Sequence, residues 1–273
     1  MTRPARSILL HAALVVTGAV TLFPLFWMIA ASFMSSGEAT MFPPHVLPHA
    51  PTLVQYHALF ERLNVGRAFL SSTIISVTVT LVSLLFNSMA GYAFAKLRFH
   101  GRERMFGLLL AALVIPAQVG MLPLFLLMKS LHLVNTYWGV IIPSLASVFG
   151  IFLIRQFMLS IPQELLEAAR IDGAGELRIY WSLIMPLARP ILATLAIFTF
   201  MTTWNDFMWP LIVLTDQSHY TLPVSIASLV GEHAQDVELM MAGSVVTVLP
   251  VLILFLVLQR YYIAGLMVGS VKG

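Results

Sequence analysis

The sequence contains no cysteine and very few charged side chains. Without cysteine the chain has neither a disulfide framework nor a thiolate metal site, and cysteine usage gives no information about its compartment. Only 10% of the 273 residues are Asp, Glu, Lys or Arg, whereas 59% are hydrophobic. Typical soluble domains have about 25% charged residues. This composition excludes an ordinary soluble domain and predicts a polytopic membrane protein.

The sequence also lacks the common catalytic motifs. Its lysines are Lys96, Lys129 and Lys272, and none follows the glycine pattern of a P-loop. The chain therefore cannot bind and hydrolyse ATP in the P-loop manner. It has no His-Glu-x-x-His pair, no Gly-x-Ser-x-Gly elbow and no clustered carboxylates. We predict no enzymatic activity, no catalytic residue, no metal site and no cofactor, and the scattered basic residues indicate no nucleic-acid surface.

Long apolar stretches dominate what remains. About 20 apolar residues are needed for a helix to cross the hydrocarbon core of a bilayer. We expect an all-α protein with six transmembrane helices in a single membrane domain, residues 1–273, and a short helix near residues 53–63 in the first outer loop. The predicted spans cover residues 7–33, 68–95, 105–128, 137–154, 190–215 and 240–258.

The lysines and arginines predict the orientation of the chain. If the N-terminus is cytoplasmic, twelve of the fifteen basic residues fall in inner segments and three in outer segments. Cytoplasmic loops carry the excess of Lys and Arg in membrane proteins. We therefore expect a multi-pass membrane protein with both termini and the polar loop between spans four and five in the cytoplasm.

That polar loop, residues 160–189, is a dense island of charge in an apolar chain. Ser160 and Gln163 have the spacing of a capping box, and Pro162 would occupy the first turn, where its missing N–H costs nothing. The pattern predicts a helix that runs to about Ile171.

A turn and a second helix are predicted to follow. Gly173 tolerates the left-handed backbone that ends a helix, and Asp172 precedes it. The second helix is expected over residues 174–184 and should stop against Pro186. Two helices broken by such a turn cannot cross a bilayer as one span.

The first loop helix presents an unusual surface. Ala168 and Ala169 lie beside Leu165 and Asp172 at helical spacing, so one side is nearly bare backbone surrounded by charge. Small residues allow a partner to approach closely. The alternative is an amphipathic helix that lies on its own membrane domain. A DNA-binding helix-turn-helix is a poor alternative, because a loop between two spans cannot readily reach a major groove.

Three polar residues inside predicted spans are candidates for a translocation path. Asp206 should face the protein interior or a water-filled path, because an ionised acid is costly in a bilayer. It follows Asn205, and together they favour a path or gate over an interfacial acid beside an aromatic belt of Trp204 and Trp209. Asn87 stands alone in an uncharged span, so hydrogen bonding to a neighbouring helix is its other interpretation.

The loop resembles a known family motif. Glu167-Ala168-Ala169, Gly173, Leu183 and Met185-Pro186 match the spacing of the Glu-Ala-Ala loop of bacterial binding-protein-dependent ABC importers. The family pattern ends Ile-x-Leu-Pro, so Leu183 and Met185 are conservative departures from it. Three further segments are similar to the smaller permease subunit of carbohydrate importers such as the maltose system, and the resemblance covers nearly the whole chain: residues 135–139, 204–207 and 261–273.

The resemblance implies partners and roles. It implies a coupling helix in the cytoplasmic loop, a second permease subunit in a heterodimer, two cytoplasmic ATPase subunits, an extracytoplasmic solute-binding protein and a lipid environment. The tail would reach the interface between the ATPases. ATP-driven import of a sugar across the bacterial inner (plasma) membrane is the implied function. The alternatives are a permease for another solute such as glycerol 3-phosphate, an ion-coupled secondary transporter, and a membrane enzyme. The residues implied to couple to the ATPase are Glu164, Glu167, Ala168, Ala169, Asp172 and Gly173.

Overall fold

The computed structural model describes residues 3–43, 45–62, 64–232 and 236–267, which contain fourteen α-helices and no β-strand. The helices are α1 Arg3–Ala31, α2 Val54–Arg62, α3 Val65–Lys96, α4 Arg102–Ala112, α5 Ala117–Ser130, α6 Tyr137–Ile141, α7 Val148–Leu159, α8 Gln163–Ile171, α9 Glu176–Ile179, α10 Met185–Leu187, α11 Arg189–Trp204, α12 Met208–Val213, α13 Leu222–Glu232 and α14 Val237–Met267. The predicted all-α class is confirmed.

Several helices are long and apolar enough to cross a membrane. Within the described ranges there are four such segments, or up to six if each of two bent helix pairs forms one span. The four are Leu9–Ala31, Val65–Lys96, Tyr137–Leu159 and Val237–Val257. The bent pairs are Arg102–Ala112 with Ala117–Ser130, and Glu176–Leu187 with Arg189–Trp204.

Two predicted spans are interrupted. The stretch 105–128 is divided between α4 and α5, which meet at an angle of 101°. Pro116 immediately precedes α5 and cannot donate the backbone hydrogen bond that would continue α4. The stretch 190–215 is likewise divided between α11 and α12, with Asn205, Asp206 and Phe207 between them. The predicted span at 105–128 is thus broken just before α5, and the predicted span at 190–215 is broken between α11 and α12.

The end of the chain also differs from expectation. Residues 216–239, which lie between the last two predicted spans, contain α13, whose second residue is Pro223. Proline fits the first turn of a helix because the N–H there has no partner within the helix. In addition, α14 continues to Met267, beyond the predicted end of the last span at residue 258. Residues 268–273, which carry most of the tail motif, lie outside the described residues.

The chain divides into two compact units, residues 1–67 with 222–250 and residues 68–221 with 251–273. In the first unit, the carboxylates of Glu38 and Glu238 accept hydrogen bonds from backbone N–H groups. Glu38 accepts hydrogen bonds from the backbone N–H groups of His49 at 2.7 Å and Ser35 at 3.1 Å. The His49 bond is the main reason that the pKa of Glu38 is lowered. The fully buried Glu238 accepts from the Ala39 N–H at 2.6 Å, which joins α14 to the segment after α1.

In the second unit, α3 packs closely against α7. A Cβ atom added to Gly91 would lie 2.5 Å from Cγ2 of Ile154. The backbones approach this closely because glycine has no side chain. Nearby, the buried Asn87 of α3 accepts a hydrogen bond from the Ser147 N–H at 3.0 Å and donates one to Ser83 Oγ at 2.7 Å. Polar bonds therefore fix the start of α7 on α3.

Candidate functional site

The polar loop contains a short helix with a well-defined end. The predicted end of α8 at Ile171 is confirmed. Gly173 has a φ of 80°, its N–H donates to the Arg170 carbonyl at 3.0 Å, and the Ala174 N–H donates to the Ala169 carbonyl at 2.9 Å. These two bonds form a Schellman motif, in which a left-handed glycine allows the chain to satisfy the last carbonyls of the helix.

The predicted start of that helix was wrong in detail. Helix α8 begins at Gln163, directly after Pro162, with no side-chain cap. Ser160 instead donates its hydroxyl hydrogen bond to the Phe157 carbonyl at 2.7 Å. Because α7 continues to Leu159, Ser160 belongs to the end of α7 and satisfies a carbonyl of its last turn. Pro162 precedes the first turn rather than occupying it.

The second loop helix does not stop at Pro186. It begins at Glu176, widens into a π-helical turn over Tyr180–Ile184 and continues through Pro186 to Leu187. A proline inside a regular α-helix clashes with the carbonyl four residues earlier. A π turn changes that spacing, so the preceding helix can continue into the proline. The direction then changes by 79° before α11.

Helix α8 is held by a buried apolar residue and exposes its other side. Leu166 is fully buried in a cluster that also contains Ile154 and Met158 of α7 and Tyr92 of α3. By contrast, several of the predicted coupling residues are exposed. Glu164, Glu167, Ala168, Asp172 and Gly173 are exposed, and Ala169 is half-buried. The loop thus exposes small and acidic residues together, on a helix that the burial of Leu166 holds in place.

An ion pair joins the two loop helices. Arg170 Nε lies 2.7 Å from Glu176 Oε1, and the other carboxylate oxygen of Glu176 accepts a hydrogen bond from the Tyr92 hydroxyl at 2.8 Å. The bond to Glu176 raises the pKa of Arg170, so the guanidinium stays charged. The sequence did not predict the contact between Tyr92 and Glu176. These residues are 84 positions apart in the chain, and no local sequence pattern relates them.

Asp206 lies in a cavity of about 440 Å³ within the second unit. It is half-buried in the break between α11 and α12, and its Oδ1 accepts a long bond of 3.5 Å from the Trp209 N–H. The cavity wall also carries Phe149 and Phe198 and many hydroxyl groups. Those hydroxyls belong to Ser83, Ser144, Ser147, Thr199, Thr202 and Thr203.

The two tryptophans near Asp206 do not form an interfacial belt. Trp204 is 1% exposed and Trp209 is 6% exposed, so both are inside the protein. Trp204 stacks on Phe200, and the Trp209 indole donates to the Gly139 carbonyl at 3.0 Å. The belt interpretation was therefore wrong, since a belt tryptophan would expose its ring to lipid headgroups.

The three polar residues of the predicted spans fall in different surroundings. Asp206 lines the cavity, together with Ser83 and Ser147, the two residues that bond to Asn87. Asn87 itself is fully buried. Asn205 is exposed and donates to the Met201 carbonyl at 2.8 Å. Among the described residues, no group of three or more His, Asp or Glu side chains has the arrangement needed for a metal ion.

Comparison with known proteins identifies the class. Residues 83–267 match the model of the family described as binding-protein-dependent transport system inner membrane component. The matched region includes the polar loop, Asp206 and most of the residues that line its cavity. The chain therefore belongs to this family of multi-pass inner-membrane permeases, which work with other permease, ATPase and binding-protein components.

The matches include two relatives and one solved structure that align almost end to end. The arabinooligosaccharides transport system permease protein AraQ of Halalkalibacterium halodurans is 40% identical, over 100% of this chain and 99% of its own length. The sn-glycerol-3-phosphate transport system permease protein UgpE of Yersinia pestis is 30% identical, over 97% of each chain. A chain of a bacterial ABC transporter involved in import of the acidic polysaccharide alginate matches with a TM-score of 0.83 and 26% identity, over 96% of this chain and 99% of that one.

These similarities establish the general function. The chain is a permease subunit of an ATP-driven ABC importer, and ATP hydrolysis lies in separate subunits. None of the matches supports an ion-coupled secondary transporter.

Proposed function

We propose that this chain is one of two different permease subunits in a sugar importer that also contains two cytoplasmic ATPases and an extracytoplasmic binding protein. The polar loop is its ATPase-docking element, with Glu164, Glu167, Ala168, Ala169, Asp172 and Gly173 at or beside the contact. Both termini are then cytoplasmic, as the distribution of Lys and Arg indicates.

The exposed side chain of Ile171 carries the docking proposal. It is 87% exposed at the end of α8, two residues before the left-handed Gly173. It is not alone, because Leu177 and Trp181 of the same polar loop are 71% and 54% exposed, and several exposed large apolar side chains in one segment mark an interaction site. Ala168 on the same helix leaves room for that partner, and buried Leu166 fixes the helix underneath.

Replacing Ile171 with serine tests this docking surface. Burying an isoleucine side chain contributes about 1.5–3 kcal/mol, so Ile171→Ser should weaken ATPase binding by about 10- to 100-fold. The fold should be unaffected, because an exposed substitution changes stability by at most about 0.5 kcal/mol. The measurement is the amount of ATPase subunit that co-purifies with the solubilised permease at several concentrations.

Leu131→Ser is the matched control. Leu131 is 53% exposed at the end of α5 and lies in a predicted outer loop. It should leave ATPase binding unchanged. Equal binding by the wild type and Ile171→Ser would contradict the proposed docking surface.

The lining of the Asp206 cavity favours a transport path for a solute that carries hydroxyl groups. Its wall combines six hydroxyl groups, one carboxylate and two aromatic rings, which suit the hydroxyls and the apolar faces of sugar rings. Arabinooligosaccharide and alginate transporters are among the related proteins, and so is a glycerol 3-phosphate permease. The thermal shift of the cognate binding protein with a panel of oligosaccharides and with glycerol 3-phosphate distinguishes the two solute classes.

A further inference from the structure

Three polar side chains of α3 are spaced four residues apart and bond to the polar loop. They are Ser88, Tyr92 and Lys96, which lie on one face of the helix because residues four apart are neighbours on its surface. We refer to these three residues as the α3 ladder. All three are buried, although they are polar residues near the end of a helix.

Each member of the α3 ladder has its own partner in the loop. The hydroxyls of Ser88 and Tyr180 are 2.7 Å apart, and the Tyr92 hydroxyl donates to Glu176 at 2.8 Å. Lys96 Nζ donates to the Ile161 carbonyl. Ile161 precedes α8, whereas Glu176 and Tyr180 follow it. The ladder therefore holds the chain on both sides of the docking helix.

Apolar packing closes the space between these bonds. Ile161, Leu166, Ile179, Tyr180 and Ile184 of the loop share one buried cluster with Tyr92 and Ala95 of α3. The rings of Tyr92 and Tyr180 are 5.6 Å apart. Close-packed interiors transmit displacement because they have few voids to absorb it. The docking helix and the end of α3 should therefore move as one body.

The covalent route out of the loop is less direct. From the second loop helix the chain turns by 79° before α11. Helix α3, in contrast, runs over 32 residues without an internal proline. A helix of that length extends about 48 Å, more than the thickness of the hydrocarbon core. It is suited to carry a displacement at one membrane face to the other.

We propose that α3 is the element through which movement of the docked loop enters the membrane domain, and that Tyr92 is the positioning residue that attaches it. This inference rests on the proposed docking function. Tyr92 makes the central bond of the ladder and is connected through Glu176 to Arg170 of the docking helix. Loosening this bond should separate ATP hydrolysis from transport without preventing ATPase binding.

Replacing Tyr92 with phenylalanine tests the inference. The substitution removes one hydroxyl group and keeps the ring that packs against Tyr180. In the complete transporter reconstituted in liposomes, Tyr92→Phe should assemble with its ATPases and hydrolyse ATP. The solute transported per ATP hydrolysed should fall by about tenfold, since a hydrogen bond to a charged group is lost. Glu176→Gln alone should lower the same ratio, because it removes the charge that accepts the Tyr92 bond and also the ion pair with Arg170.

Tyr137→Phe is the matched control. The Tyr137 hydroxyl is 2.7 Å from Oγ of Ser71, which also belongs to α3. Tyr137 itself lies outside the polar loop, so this bond does not connect α3 to that loop. This variant should keep the wild-type ratio of transport to hydrolysis. An unchanged ratio in Tyr92→Phe would overturn the inference. Failure of Tyr92→Phe to assemble would also overturn it, since Tyr92 would then maintain the fold rather than transmit movement. The docking proposal itself is tested separately, by whether Ile171→Ser loses the ATPase.

Discussion

Replacing Gly173 with leucine is expected to abolish stable association with the ATPase while membrane insertion remains intact. Gly173 has a φ of 80° and completes the turn between the two loop helices. A residue with a Cβ in this left-handed conformation costs about 1–2 kcal/mol, which alone corresponds to about a five- to thirtyfold change in an equilibrium. The bulk of the leucine adds to this loss at the proposed contact.

Gly175→Leu is the control for Gly173→Leu. It also replaces a loop glycine with leucine, but without forcing leucine into a left-handed backbone conformation. Gly175 lies two residues further on, with a φ of −73° that any residue adopts, and an added Cβ would meet no atom within 4 Å. We expect Gly175→Leu to retain more ATPase than Gly173→Leu when the two complexes are purified side by side. If Gly173→Leu assembles and transports like the wild type, the assignment of the loop is wrong.

Replacing Gly91 with leucine is expected to cause the largest loss of stability. An added Cβ would lie 2.5 Å and 2.7 Å from two side-chain atoms of Ile154 and 3.1 Å from the Arg155 backbone nitrogen. Overpacking of this kind typically costs about 1–3 kcal/mol and can cost more. At about 2–4 °C per kcal/mol for a chain of 150–250 residues, the apparent midpoint of thermal unfolding in detergent should fall by about 2–12 °C.

Gly107→Leu provides the comparison for Gly91→Leu. Gly107 also lies inside a helix, α4, but an added Cβ there would meet nothing within 4 Å. Leucine favours helix more than glycine by roughly 1 kcal/mol, so this variant should be as stable as the wild type or slightly more stable. Equal midpoints for Gly91→Leu and Gly107→Leu would contradict the close packing of α3 on α7.

The local features of the loop were predictable from the sequence. Gly173 was predicted to end α8 after Asp172, and the structure places both residues there. The short helix of the first outer loop was also predicted, and α2 occupies that position. Signals of this kind act over four or five residues, so the sequence alone carries them.

Features that depend on distant partners were not predictable in the same way. Ser160 has the residue type of a helix cap, but the length of α7 decided which helix it served. Ser147, which donates to Asn87, and Glu176, which accepts from Tyr92, are 60 and 84 residues away along the chain. Only the spacing of Ser88, Tyr92 and Lys96 was visible beforehand. It could have indicated a polar face on α3, although not the segment that covers it.

The proposed mechanism converts movement of the ATPases into movement of membrane helices. Closure of the two ATPases would draw the paired docking helices together, and the buried cluster around Leu166 would pass that movement to α3. Packed cores change between discrete arrangements rather than deforming continuously. The inward-open and outward-open forms are then two rigid-body states. The ATPases shift the equilibrium between these two states because they bind one state more tightly than the other.

The location of residues 160–189 tests the central claim most directly. Because the chain has no cysteine, a single engineered cysteine can be labelled without background. Arg178→Cys places it at an exposed loop position, and His132→Cys places it at an exposed position of a predicted outer loop. In intact cells, a membrane-impermeant maleimide should label His132→Cys and leave Arg178→Cys unlabelled until the membrane is permeabilised. Labelling of Arg178→Cys in intact cells would place the loop on the side away from the ATPases and contradict the account.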